Sequence, residues 1–254
     1  MIPRHILPMW LWKSSNVQPT VNLNMASIDI NGAKLPIEDL HLTFISKLIG
    51  EKYGYLESSR TGMAVDVMGL PLPLYTYPCI EYLTNIDFIN ANVFEWGCGN
   101  SSLWWLRQGV QYQGVEPDIK WFNIVKGVEP RIKIQHKTGN EFVHAINNVD
   151  DNFDVIVIDG GNNHGSKYRC VKLAVERLNN GGVIILDNSD LHRQTKELLD
   201  SYEDFIPVHF NGLRSITVEA ITTSCYIHRE FDRKTIVQTP IGGVYRQRDI
   251  SDEK

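Results

Sequence analysis

The chain has 254 residues, 43% of them apolar and 22% charged, enough to bury a core of ordinary size without disulfide or metal staples. The net charge of −5 is spread without long runs, which argues against a nucleic-acid partner. Four cysteines (Cys79, Cys98, Cys170 and Cys225) form no C-x-x-C pair, so neither a zinc ribbon nor a thioredoxin-type motif is expected; buried free thiols in a reducing compartment are.

Met1–Lys13 is apolar but interrupted by Pro3 and Pro8, a poor signal peptide, and no run approaches the roughly 20 apolar residues of a membrane span. A cytoplasmic protein without a membrane partner is expected. Residues 26–30 and 33–37 flank Asn31-Gly32, a pair that tolerates the positive φ of a tight turn, and read as a β-hairpin. Leu40, Phe44, Ile45, Leu48 and Ile49 recur at helical spacing. Tyr53–Gly69 reads as a loop, and Pro71, Pro73 and Pro78 punctuate the stretch before a helix at Cys79–Leu83.

From about residue 85, short β-rich runs alternate with helical patterns, the signature of a parallel sheet. Five strands are expected at Asn92–Glu95, Gln113–Glu116, Ile132–His136, Phe153–Asp159 and Gly182–Asp187, with helices at Ser101–Gln108 and Tyr168–Leu178. Two further strands, Phe205–Phe210 and Thr222–Phe231, read as an antiparallel pair closing the sheet edge. The expected architecture is a Rossmann-like, doubly wound α/β fold. Its mostly parallel seven-stranded sheet ends in a C-terminal antiparallel strand. The expected division is an N-terminal extension or cap over 1–70, the main domain over 71–240 and a polar tail over 241–254. The tail reads as a linker, which admits a place in a larger multidomain enzyme.

The first strand of the second part ends in Glu95-Trp96-Gly97-Cys98-Gly99-Asn100 and a helix follows. Glycines there let the backbone turn sharply and approach a ligand, while the helix presents free N–H groups. Glu95, two residues before the first glycine, is placed to meet a ligand ammonium directly or through water. Glu116, ending the second strand, is placed to accept both hydroxyls of a ribose.

Taken together, these features resemble the class I methyltransferases that use S-adenosyl-L-methionine (SAM). Phe94–Ser102 matches the first motif of that family and Gly114-Val115-Glu116 the second. Phe153–Gly160 resembles the fourth-strand motif, and Leu178–Asp187 the turn and fifth strand. The resemblance covers about residues 71 to 231. It implies SAM as cofactor, with Gly97, Gly99, Asn100 and Ser101 along its methionine part and Glu116 on the ribose. Asn140 and Glu141 would lie beside adenine, and Asp159 on the floor between cofactor and acceptor.

Leu72–Pro78 resembles the stretch that covers SAM in a subgroup of small-molecule methyltransferases, in which Tyr75 and Tyr77 would bond the cofactor carboxylate; packing aromatics are the alternative. Trp96, Trp104, Trp105 and Trp121 read as core and helix packing. His164, five residues after Asp159 in a loop at the ligand-binding edge, is a candidate base beside Asp159; an exposed loop histidine is the other reading. Lys167, Arg169 and Arg193 either steer an acidic substrate or are solvated.

Asp159 with Asp187 and Asn188 resembles the divalent-cation site of catechol-type O-methyltransferases. The Gly160-Gly161-Asn162-Asn163 loop departs from that pattern, so a metal-free site is expected. The resulting expectation is a methyltransferase acting on an oxygen, hydroxyl or carboxylate, of a small molecule or peptide-like natural product. N-methylation, a nicotinamide-dependent oxidoreductase and a non-catalytic binding module are the alternatives, and a homo-oligomer remains open.

Overall fold

The computed structural model describes residues 27–30, 33–161 and 165–236. Strands β1 (Ser27–Ile30) and β2 (Ala33–Pro36) pair antiparallel, with Ile30 opposite Ala33, so the expected hairpin is present; its Asn31-Gly32 tip lies outside the described residues. Helix α1 (Ile37–Lys47) runs into a π-helical turn, Leu48–Lys52.

The expected loop that follows contains a two-turn helix, α2 (Tyr55–Thr61). Glycines in left-handed backbone bracket it, Gly54 at φ +76° and Gly62 at φ +68°. Seven residues are too few for a 3.6-residue period to show. The helix is fixed instead by the buried Ser58, whose hydroxyl donates to Val65 O (2.8 Å) and accepts from Val65 N (3.0 Å). Helix α3 (Tyr77–Thr84) starts two residues before the expected position because Pro78 suits a helix's first turn.

The main sheet is built from β3 (Asn92–Trp96), β4 (Gln111–Glu116), β5 (Lys133–His136), β6 (Phe153–Ile158), β7 (Leu178–Leu186), β8 (Phe205–Gly212) and β9 (Ile221–His228). Between them come α4 (Asn100–Arg107), α5 (Ile119–Val128), α6 (Gly139–Val143), α7 (Ser166–Arg177) and α8 (Arg193–Asp200). The spatial order is β5-β4-β3-β6-β7-β9-β8, with β9 antiparallel to both neighbours and the pairs from β5 to β7 parallel. This is the expected Rossmann-like sheet.

Alternation along β6 sorts the core into two layers. Val155 and Val157 join Val93, Trp104, Trp105 and Ile185 on one face; Ile156 and Ile158 join Phe94, Trp96, Ile184 and Leu186 on the other. Each such side chain, fully buried, stabilises the fold by roughly 1.5–3 kcal/mol. Both faces are covered, as a parallel sheet requires. The four cysteines are free and buried.

The register decides where a ligand can sit. Trp96 lies opposite Val115 and Ile158, and Ile158 opposite Leu186, so Gly97, Asp159 and Asp187 leave the sheet side by side. The chain winds from β3 outward to β5, then returns to the other side at β6. A crevice opens at such a switch point, beyond the carboxyl ends of the strands.

Candidate active site

Two glycines make the floor of that crevice. Gly97 has φ +93°, and a methyl group added to it would lie 2.1 Å from Gly160 N. One added to Gly160 would lie 2.4 Å from Gly97 Cα. The turns leaving β3 and β6 therefore touch backbone to backbone. Trp96 O accepts from both Asp159 N (3.0 Å) and Gly160 N (2.7 Å), and Gly97 N donates to Val115 O (2.9 Å).

Two cavities adjoin this floor. The first, about 210 Å³, is lined by the turn and first helical residues Gly97–Ser101, by Asp159 and Gly160, and by an apolar roof of Ala64, Leu72, Leu74 and Ile216. The second, about 590 Å³, is lined by Pro117–Ile119, Thr138, Gly139, Phe142, Gly161 and Ser166. Glu116, Trp121 and Gly160 line both, so the two form one elongated cleft with Glu116 at its waist.

Glu116 is 5% exposed, and one oxygen accepts from Asp118 N at 2.7 Å. Burial pushes its carboxyl up to about 7. Glu95 does not line the cleft. It is fully buried, with Oε2 accepting from Tyr112 and from Ser102 Oγ (3.0 Å) and the Ser101 hydroxyl nearby favouring its charge. Burial pushes it up to about 8. Ser102 Oγ also accepts from Gly99 N at 3.1 Å, so Glu95 braces the turn from within and does not present itself to a ligand in the cleft. Gly114 is required beside it, because a Cβ there would lie 2.6 Å from Cys98 Sγ.

Asn100 lines the first cavity, and its amide donates to Ala64 O (2.7 Å), tying the helix start to the roof. Trp121 is the residue that sequence reasoning assigned to packing and that the structure puts in the cleft wall; its place in the first turn after Glu116 was the available signal. Trp96, Trp104 and Trp105 are core, as expected. Asn140 and Glu141 begin α6 on the surface: Asn140 Oδ1 accepts from Arg169, and Glu141 pairs with Lys137 at 3.7 Å. The wall beside them is made by Thr138, Gly139 and Phe142.

The two tyrosines are placed as the packing alternative has it. Tyr75 is fully buried with its hydroxyl 3.4 Å from Trp105 Nε1, and its neighbours Leu72 and Leu74 face the cleft instead. Tyr77 turns into a separate cavity shared with Tyr53, whose ring centroid is 4.7 Å away, because α3 rotates it toward the N-terminal segment. His164 lies outside the described residues.

Asp159 and Asp187 end β6 and β7 beside Lys167 and Arg214. Burial raises Asp159, opposed by the charges of Lys167 and Arg214, and pushes Asp187 up to about 7 with help from Asp159. Lys167 is 4% exposed, contrary to the solvated alternative; Arg169 bonds Asn140, and Arg193 pairs with Glu197 on the surface.

The cation site of the catechol type does not fit these residues. Asp187 Oδ1 accepts from Thr223 Oγ1 (2.6 Å), and Oδ2 faces Arg214 Nη1 at 3.7 Å. In the amide orientation that satisfies both its atoms, Asn188 donates to Asp187 Oδ2 (2.9 Å) and accepts from Arg214 Nη1 (3.1 Å). No group of three or more His, Cys, Asp or Glu among the described residues is placed to hold a metal.

Residues 94–189 match a family model described as a methyltransferase domain. No curated protein matches the chain. Among solved structures, the O-methyltransferase from Bacillus cereus in complex with SAH is 16% identical, aligned over 73% of this chain and 96% of its own, with a TM-score of 0.50. The O-methyltransferase TomG from Streptomyces achromogenes, involved in tomaymycin synthesis and in complex with SAM, is 14% identical over 73% and 94%, also at 0.50. Cofactor-bound Rv0187 from MTB is 17% identical over 76% and 97%, at 0.50. At these identities the likeness is one of fold.

Proposed function

We propose that this chain, whose residues 94–189 belong to a methyltransferase domain family, transfers the methyl group of SAM to an oxygen, hydroxyl or carboxylate, of a small molecule or peptide-like natural product. The observation that carries the reading is the elongated cleft with a side-chain-free floor at Gly97 and Gly160 and a buried carboxylate, Glu116, at its waist. A nucleoside joined to a short amino acid has that outline. Two O-methyltransferases among the fold's neighbours support oxygen as the atom methylated.

Bound in the cleft, SAM supplies a methyl group activated by a positively charged sulfur. Glu116 would accept from the ribose hydroxyls. The N–H groups of Asn100 and Ser101 at the start of α4 would meet the amino-acid carboxylate, on a turn whose Gly99 N–H is held by Ser102 Oγ. Trp121 would flank the nucleoside, and Thr138, Gly139 and Phe142 would hold the adenine, with Asn140 and Glu141 at the rim. Glu95 holds the turn through Ser102, and Tyr75 packs behind it. The apolar roof excludes water, which favours a step in which charge disperses.

Asp159 is the proposed proton acceptor for a hydroxyl nucleophile, raised by burial and held back by the charges of Lys167 and Arg214. His164, six positions past the end of β6 in the sequence, is the second candidate. The N-terminal extension, residues 1–70, is the proposed cap, a reading supported by the place of Ala64 in the roof. No helix among the described residues is long and apolar enough to cross a membrane, and a cytoplasmic enzyme is the setting this reading assigns.

Calorimetry with S-adenosylhomocysteine and with NAD tests the cofactor: the first binds and the second does not. Mass spectrometry after incubation with methyl-labelled SAM and a panel of phenols, alcohols, carboxylic acids and amines tests the acceptor. Label confined to amines would refute the oxygen assignment, and binding without any transfer would favour a non-catalytic module.

A further inference from the structure

We propose that Lys167 and Arg214 build into the protein the two positive charges that a divalent cation would otherwise bring to the Asp159–Asp187–Asn188 edge, so that the acceptor oxygen is held without a metal ion. The inference rests on the methyltransferase reading for the place of the acceptor; the charge arrangement stands on the contacts alone.

Two of the three ligands that a cation would need are already engaged, and the third, Asp159, feels the charges of Lys167 and Arg214. Asp187 gives one oxygen to Thr223 and the other to Asn188 and Arg214, and Asn188 gives its carbonyl oxygen to Arg214 at 3.1 Å. The guanidinium thus faces two oxygens at once, as the ion would. Lys167 donates to the backbone carbonyl of Asp187 at 2.8 Å. Its side chain is buried, and the carboxylates that favour its charge are Asp159 and Asp187.

The formal charges of the four groups cancel. Two carboxylates with one ammonium and one guanidinium sum to zero, so a divalent ion entering the cluster would leave two uncompensated positive charges in a largely buried place. Burial of unpaired charge is strongly disfavoured. Asn188 reaches Arg214 from left-handed backbone, φ +54°, a conformation that asparagine tolerates better than most residues.

Arg214 comes from the segment between β8 and β9, not from the strands that carry the acids. Ile216, two residues on, lines the cleft, and Asp159 lines the same cavity. The C-terminal hairpin therefore delivers a fixed cation to the acceptor end of the site. Arg214 and Lys167 are positioning residues: they hold Asp187 and compensate the charge of both acids.

The test is titration of the full chain with Mn²⁺, followed by electron paramagnetic resonance, alongside calorimetry with S-adenosylhomocysteine. The natural protein is expected to leave Mn²⁺ free. Arg214→Met and, independently, Lys167→Met each remove one positive charge and are expected to raise Mn²⁺ affinity on the order of a hundredfold. A further Asp187→Asn change abolishes that gain. One-to-one Mn²⁺ binding by the natural protein that Asp187→Asn abolishes would overturn the proposal. So would the absence of any gain in both folded methionine variants. Failure of the natural protein to bind S-adenosylhomocysteine would instead remove the methyltransferase reading, and the Mn²⁺ result would still report on the cluster.

Discussion

Replacing Glu116 by Gln keeps the shape of the side chain and removes its charge, so it isolates what a carboxylate at the waist of the cleft does. Burial pushes the carboxyl up to about 7 in the free protein. In the proposed complex, ribose hydroxyls donate to the ionised form and favour it, so ligand binding is coupled to loss of a proton wherever Glu116 starts protonated. The sign follows: affinity rises as pH rises toward and through about 7. At pH 6 about one carboxyl in eleven is ionised, which predicts S-adenosylhomocysteine binding roughly tenfold weaker at pH 6 than at pH 8. At pH 8 the Gln variant loses hydrogen bonds to a charged acceptor worth about 1.5–3 kcal/mol, a loss of roughly ten- to a hundredfold in affinity. Its pH dependence should flatten. Calorimetry at both pH values, in two buffers of different ionisation enthalpy, measures affinity and proton release together. Glu95 and Asp187 are still present in the variant, so a slope of undiminished size in Glu116→Gln would assign the titration to them and refute the reasoning.

Gly160→Ala places a methyl group 2.4 Å from Gly97 Cα; unfolding in urea should show a loss of about 1–3 kcal/mol, and S-adenosylhomocysteine affinity should fall at least about tenfold as the floor shifts. Glu95 titrates near 8 in the folded chain against an ordinary 4.5, so the unfolded chain ionises first as pH rises. Its stabilising contribution is therefore complete below about 4.5 and lost as pH climbs toward 8; the fall in Tm between pH 6 and pH 8 should be smaller in Glu95→Gln by differential scanning calorimetry. Ile216 holds φ +57°, a conformation costly for a β-branched side chain. Relief of that strain should keep Ile216→Gly within about 1 kcal/mol of the natural protein in urea unfolding, while the opened roof widens the range of acceptors methylated in a substrate panel.

The sheet was legible because its signals are local and repeated. Strands of four to nine residues with apolar runs, each bounded by turn residues, announce themselves one by one, and Gly97 and Glu116 sit at strand ends where the fold fixes their direction. The missed features depend on contacts far apart in the chain. Trp121 looked like one more packing aromatic until α5 brought it beside Gly99. Lys167 looked solvated because nothing in Ser166-Lys167-Tyr168 says that the side chain turns inward beneath Asp187. Arg214 meets Asp187 across 27 positions of sequence, and no periodicity marks it. Tyr77 failed in the opposite sense: a plausible motif was rotated away by the helix it begins.

The roof and the floor of the cleft have separate origins. Gly97, Glu116 and Asp159 lie within the segment 94–189, whereas Ala64, Leu72, Leu74 and Ile216 come from before and after it. Tyr55 Oη bonds Thr217 O at 3.0 Å, joining the two flanks to one another. Exchange of both flanking stretches, grafted as a pair, would thus retune which molecules are accepted while leaving the floor residues of the proposed nucleoside cleft in place. A single graft would sever their shared bond and leave the new lid anchored on one side only.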